Sequence, residues 1–278
     1  MDTTSLSLLL TLPFFQRAVL GGVIIAAVAA YVGVQVVIRR SSFLGDALAH
    51  TVLTGVALGL WWQINPFLTM LALALIIGVI LANNQFSNSK LPLDNLLGAL
   101  LPTAMALGIV IIALIPGYQS QLLSYLFGNI LTIGSLELSY LLVLGLAVSV
   151  ITYWYRRQLI LVAIDKDMAQ TSGVAVKKIE LIFHLVLALT VVGAVQLVGV
   201  VLVNALLIVP ATITRTFARS LKTMLVLAPV IAVIVTISGI ALSAIKNLPT
   251  GPVVALVAGG VLVLAIALSS RPLRWSSR

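Results

Sequence analysis

Cysteine is absent from the 278 residues, and charge is scarce: Asp, Glu, Lys and Arg together make up 8% of the chain. Without cysteine there is no disulfide, no thiolate metal site and no thiol nucleophile. A soluble domain carries roughly 25% charged residues. A chain that is 61% apolar, with a mean hydropathy of +1.21, does not present a water-facing surface of that kind. Only seven acidic residues and two histidines are available for proton or metal chemistry. No G-x-x-x-x-G-K-[ST] phosphate loop occurs, so ATP hydrolysis would fall to a partner. No H-E-x-x-H, paired-Asp or Ser/His arrangement occurs either, which argues against an intramembrane enzyme. No repeat of fixed period is evident, so nothing marks an inverted-repeat carrier. The net charge of +9 does not point to nucleic acid, because the basic residues sit singly or in pairs beside apolar runs.

What is present is a succession of apolar runs, each near the roughly 20 residues that a spanning helix needs. They predict an all-α, polytopic membrane bundle formed by a single domain, residues 1–278. The expected spans are Phe14–Ile38, Phe43–Trp62, Pro66–Ala82, Leu96–Ile115, Ser135–Tyr155, Ile179–Leu197, Gly199–Phe217, Met224–Ile245 and Pro252–Leu268. The boundary at Gln196–Gly199 is weak, and a short bent pair there would give eight spans rather than nine. The run after Pro13 lacks a basic n-region and a cleavage site and reads as a retained first helix. Pro116–Ile133 is too polar and short to span; it reads as an external loop with a short helix, Gln121–Phe127. If the Arg39–Arg40 end faces the cytoplasm, alternation puts 14 of the 16 basic residues inside and leaves only Arg17 and Lys246 outside, as the positive-inside rule requires. Trp61 and Trp62 at one interface, and Tyr153, Trp154 and Tyr155 at the other, fit aromatic belts.

Four polar features interrupt the apolar background. Asp46 and His50 stand four apart, hence one turn apart on one helix face. In hydrocarbon such a pair must face the protein interior or water, and an O/N donor set suits a borderline or harder divalent cation. The alternative reading is structural: Asp46 caps its helix and His50 satisfies a neighbour. Farther along the same helix, Gly55 and Gly59 form a GxxxG pair suited to close packing. In Ile164–Val174, Asp165 can cap a short helix, Asp167 suits its first turn, and Gly173 suits its end. That helix is either an ordinary capped loop or a docking element for a cytoplasmic partner. In Gly193–Thr212, Gly199, Asn204 and Pro210 predict a helix that bends and presents polar groups inward, Pro210 kinking it in mid-membrane. Asn247–Pro252 reads as a Pro/Gly turn entering the last span. His184, read as lying without a carboxylate near it in sequence, is expected to make a polar interhelical contact.

Taken together and in order, these segments resemble the permease subunit of a metal-type ABC transporter, the family importing zinc, manganese or iron(II). Leu44–His50 with Gly55–Leu58 resembles that family's second-helix signature. Asp165–Gly173, with the small Ala169, resembles its cytoplasmic coupling segment. Gly199–Ala211 resembles its most distinctive stretch, and Leu248–Gly251 its final turn. The resemblance implies a type II importer-like permease of the plasma (inner) membrane, surrounded by lipid. It also implies a homodimer, a cytoplasmic ATP-binding subunit and an extracytoplasmic metal-binding protein, with Asp46 and His50 as transient ligands of the transported ion and no cofactor resident on the chain. A permease for a metal chelate or corrinoid-type organic substrate shares this architecture, but the Asp46/His50 pair argues against it. An ion-coupled secondary transporter would need more buried carboxylates than Asp46, with Asp94 and Glu137 near helix ends.

Overall fold

The structure is a computed structural model that describes residues 12–84, 92–116, 126–128, 134–200, 203–246 and 248–269. Twelve helices are named here in chain order. They are α1 (Pro13–Ile38), α2 (Ser42–Trp61), α3 (Pro66–Asn84), α4 (Leu93–Ala113), α5 (Ser135–Trp154), α6 (Arg156–Ile164), α7 (Lys166–Thr171), α8 (Val176–Val198), α9 (Val203–Leu207), α10 (Val209–Phe217), α11 (Leu221–Lys246) and α12 (Thr250–Leu268). Eight of them, α1 to α5, α8, α11 and α12, are long and apolar enough to cross a bilayer. Most of the expected loop helix Gln121–Phe127 lies outside the described residues.

Three helices are enclosed by the others. The most apolar window of α2 and of α8 is 72% buried and that of α1 67%, against 22–33% for the remaining long helices. Sequence explains the difference. Lipid tails are as apolar as leucine, so helices associate through close packing and interhelical hydrogen bonds rather than through water exclusion. α1 carries a stripe of small residues, Ala18, Gly22, Ala26, Ala29 and Gly33, all buried. α2 uses the predicted Gly55–Gly59 pair: a Cβ on Gly55 would stand 2.5 Å from Met70 Cα of α3, and one on Gly59 2.8 Å from Pro66 Cα. Thr54 Oγ1 donates to the Ala104 carbonyl of α4 at 2.6 Å, and Phe67 of α3 stacks on Tyr140 of α5 at 4.4 Å. The outward faces of α3, α4, α5, α11 and α12 carry exposed leucine, isoleucine and valine, as a lipid-facing surface does. The belt aromatics sit as expected at helix ends, with Trp61, Trp62, Tyr153 and Trp154 all exposed.

The expected seventh span is where the structure departs most from the pattern. Gly199–Phe217 is not one helix. Gly199 ends α8 at φ +84°, a conformation that side chains resist, and Gly128 faces it at φ +70°. A Cβ on Gly199 would fall 2.6 Å from the Phe127 carbonyl carbon, so these two backbones touch. Two short helices follow, α9 and α10, separated at Ile208. Pro210 follows this break by two residues: Ile208 keeps helical backbone angles and its N–H still donates to Asn204 O at 2.8 Å, so the apolar run Val203–Phe217 bends just before the proline. By Leu207 the chain has reached the level of Gly33 and Gly45, near the Arg39 end of α1 and the start of α2. The segment therefore returns through the bundle as a broken, buried pair rather than as a ninth long helix.

Candidate functional site: the Asp46–His50 face and the inner helix ends

α2 begins at Ser42 with Ser41 in the cap position, and no acidic residue stands in its first turn. Asp46 lies in the second turn, so the capping role that its place in the sequence allowed does not apply. From Leu44 to Ala57 every residue of α2 is buried except Asp46 and His50. The two ionisable side chains of an apolar helix are the two that reach out of the packed interior of this chain. His50 Nδ1 donates to the Asp46 carbonyl oxygen at 2.8 Å. A carbonyl only accepts, so that bond fixes the proton on Nδ1 and leaves the Nε2 lone pair for a ligand. The Asp46 carboxylate, by contrast, takes no hydrogen bond among the described residues.

Asn204 approaches this helix from α9. A Cβ on Gly45, the residue before Asp46, would meet Asn204 Oδ1 at 3.0 Å, and that oxygen is buried without a hydrogen-bond partner. The bend between Gly199 and Pro210 thus brings an amide oxygen beside the Asp46 turn. Among the described residues no group of three or more His, Asp and Glu side chains could hold a metal together. Within those residues, one copy of the chain offers the Asp46–His50 pair on this face.

α7 matches its sequence pattern closely. Asp165 is its N-cap, the carboxylate accepting from Met168 N at 2.9 Å, and Asp167 stands in the first turn. Gly173 closes it at φ +79°, with Gly173 N donating to Gln170 O and Val174 N to Ala169 O, both at 3.0 Å. Ala169 is fully buried and is the face by which the helix docks on the bundle, whereas Met168 and Ile164 stay exposed. A six-residue helix is marginal by itself. Replacing Asp165 with Ala is expected to cost about 1 kcal/mol of local stability. Hydrogen exchange at the Met168 amide should accelerate about fivefold, and unchanged exchange would show that docking through Ala169 alone holds the helix.

Sequence reasoning missed Glu180. It precedes His184 by four residues, the spacing of Asp46 and His50, so His184 does have a carboxylate near it in sequence. Glu180 is also a buried carboxylate that the survey of spans overlooked. The side chain is 1% exposed, and its Oε1 accepts from Arg39 Nη1 at 2.6 Å and lies 3.1 Å from Lys166 Nζ. Arg39 also donates to the Leu159 carbonyl at 3.3 Å and lies 4.1 Å over the Phe183 ring. His184 is fully buried and donates Nδ1 to the Glu180 carbonyl at 2.8 Å, a bond within α8 and not the interhelical contact expected of it. Removing one partner of a buried ion pair leaves the other charge uncompensated, at about 3–5 kcal/mol. The i,i+4 spacing was the available signal; Arg39, 141 residues away, was not predictable from it.

Residues 11–269 match the ABC 3 transport family. The high-affinity zinc uptake system membrane protein ZnuB of Haemophilus influenzae is 31% identical over 249 residues, covering 90% of this chain and 95% of that protein. The manganese transport system membrane protein MntC of Halalkalibacterium halodurans is 34% identical over 267 residues, covering 95% of this chain and 90% of that protein. Among solved structures, the fold matches PsaBC from Streptococcus pneumoniae in complex with Fab at a TM-score of 0.84 and 27% identity, over 94% of each chain. An inward-facing conformation of a putative metal-chelate type ABC transporter shares the fold alone, at a TM-score of 0.71 and 17% identity, over 91% of this chain and 87% of that one. With nearly its whole length matched and the same helical arrangement found in both solved structures, this multi-pass membrane protein belongs to the ABC 3 transport family.

Proposed function

We propose that the chain is the permease subunit of an ATP-driven importer for a divalent transition-metal ion, zinc or manganese, with iron(II) as a further candidate. The observation that carries this reading is the Asp46–His50 face: two donors alone break the burial of α2 between Leu44 and Ala57. One carboxylate and one imidazole, without a thiolate, suit zinc and manganese alike. The relatives described as zinc uptake and manganese transport membrane proteins support the same cargo class.

Two copies of the chain, each acting as a single permease domain, form the pathway in the inner (plasma) membrane. A twofold axis beside the Asp46–His50 face would bring two such pairs together and double the donor set. Ligation there is weak and brief, because a tightly held ion would not leave. A cytoplasmic ATP-binding subunit docks on Asp165–Gly173, where Ala169 seats the helix on the bundle and the exposed Met168 faces outward. An extracytoplasmic metal-binding protein delivers the ion to the opposite end. Closure of the ATPase moves α7 as a rigid body and rocks the bundle between two arrangements. The broken segment from Gly199 through Asn204 to Pro210 supplies the bend that places an amide oxygen next to the pathway helix.

The test is uptake into liposomes holding the purified permease with its ATPase. Radioactive zinc or manganese is expected to accumulate with hydrolysable ATP on the ATPase side and not with a non-hydrolysable analogue. Accumulation driven by a proton gradient without ATP would overturn the reading.

A further inference from the structure

The Glu180 cluster joins parts of the chain that the transport cycle has to move together. Lys166 is the first residue of α7, the helix assigned to ATPase docking. Arg39 is the cap residue at the end of α1, and Glu180 lies inside α8. Both cations reach the same carboxylate oxygen, at 2.6 Å and 3.1 Å. The Arg39 side chain is further held by the Leu159 carbonyl of α6 and the Phe183 ring. From Arg39 the chain turns into α2 within two residues. Arg40 takes φ +55°, Ser41 Oγ donates to the Arg39 carbonyl at 3.1 Å, and Ser41 N donates to Val36 O at 3.2 Å. A shift at Arg39 is therefore delivered to the start of the helix that carries Asp46 and His50.

The surroundings allow such a shift. A cavity of about 190 Å³ lies against this cluster, lined among others by Arg39, Ser41, Leu44, Lys166, Glu180 and Phe183. Packed interiors do not deform continuously; they change by discrete rearrangement where space exists. Lys166 is half exposed, with a side chain 50% accessible, while Arg39 and Glu180 are 6% and 1% accessible. One side of the ion triad thus faces solvent and the other is enclosed. Such an arrangement has a solvent-facing input, Lys166, and a buried output, Arg39.

We propose that Glu180 is a positioning residue of the transport cycle, tying the ATPase-docking helix through Lys166 to Arg39 and so to the helix of Asp46 and His50. This inference rests on the transporter reading above, and it adds the route by which ATPase closure reaches the ion face.

The experiment uses the full permease assembled with its ATPase, and the absence of native cysteine makes a single reporter clean. Ser42→Cys, at the exposed start of α2, is labelled with a maleimide in the presence and absence of a non-hydrolysable ATP analogue. The analogue is expected to change the labelling rate several-fold in the Ser42→Cys parent, and this change is expected to vanish in Lys166→Met and Glu180→Gln. Lys166→Met leaves the buried Arg39–Glu180 pair intact, so it assembles even if Glu180→Gln does not, and then decides the matter alone. A purely structural role would lower yield or thermal stability without altering the nucleotide response of the assembled fraction. A full nucleotide response in Lys166→Met overturns the proposal, and so does a parent that shows none. A parent that responds to nucleotide but moves no zinc or manganese leaves the link standing and removes the transporter reading instead.

Discussion

Asp46→Ala and His50→Ala permeases are expected to assemble with the ATPase and to lose metal uptake by at least about 10–100-fold in initial rate, the loss that even a supporting partner of a metal ligand causes. Assembly should survive because neither side chain holds the chain together. Both project from a helix whose other residues between Leu44 and Ala57 are packed inside. The Asp46 carboxylate accepts no hydrogen bond among the described residues, and the bond from His50 Nδ1 returns to its own helix. Asp46→Asn sharpens the result. It keeps the shape and removes the charge, so uptake should fall almost as far as with alanine if the carboxylate meets a cation. Uptake and ATP hydrolysis measured together in liposomes give the answer. Wild-type rates in both alanine variants would reduce the pair to packing.

Gly33→Val is expected to have the largest effect on assembly. A Cβ at this position would fall inside the van der Waals wall of the Leu207 carbonyl oxygen and within 2.7 Å of the Leu207 carbonyl carbon. Backbone cannot swing aside as a side chain does. The cost should therefore reach or exceed the upper end of the about 1–3 kcal/mol typical of overpacking. The displaced element is α9, so Asn204 would leave its place beside Gly45. The comparison is Gly259→Ala, where nothing lies within 4 Å of the added methyl. Such a change in a helix interior with open space beside it should be neutral or stabilising by up to about 1 kcal/mol. Monodisperse yield in detergent and thermal melting distinguish the two. Equal behaviour would mean that the α1–α9 contact is looser than its geometry implies.

Hydropathy alone located the eight long helices, because each is a run of apolar residues bounded by polar or Pro/Gly breaks. The short helix α7 was legible too: a capping Asp165 and a closing Gly173 are local signals that need nothing from the rest of the chain. Gly199–Phe217 was not fully legible. Its residues are as apolar as those of a spanning helix. What breaks it is a backbone contact with Leu126–Gly128, some 70 positions earlier in the chain. Pro210 was legible locally: the apolar run Val203–Phe217 bends at Ile208, two residues before the proline that interrupts helix hydrogen bonding. Glu180 was hidden differently. One carboxylate barely moves a hydropathy average, and its meaning comes from Arg39 and Lys166, which folding brings to it.

Whether the Asp46–His50 face meets its copy in a second chain is the point on which the proposed pathway most depends. Phe43 shares that face, three residues before Asp46, and its side chain is exposed. With no native cysteine, Phe43→Cys gives one reactive position per chain. Treated with a short bismaleimide in transport-competent membranes, this permease should link into a dimer, and the link should block uptake. Phe43→Cys that transports metal but yields only monomer would contradict a pathway built between two copies.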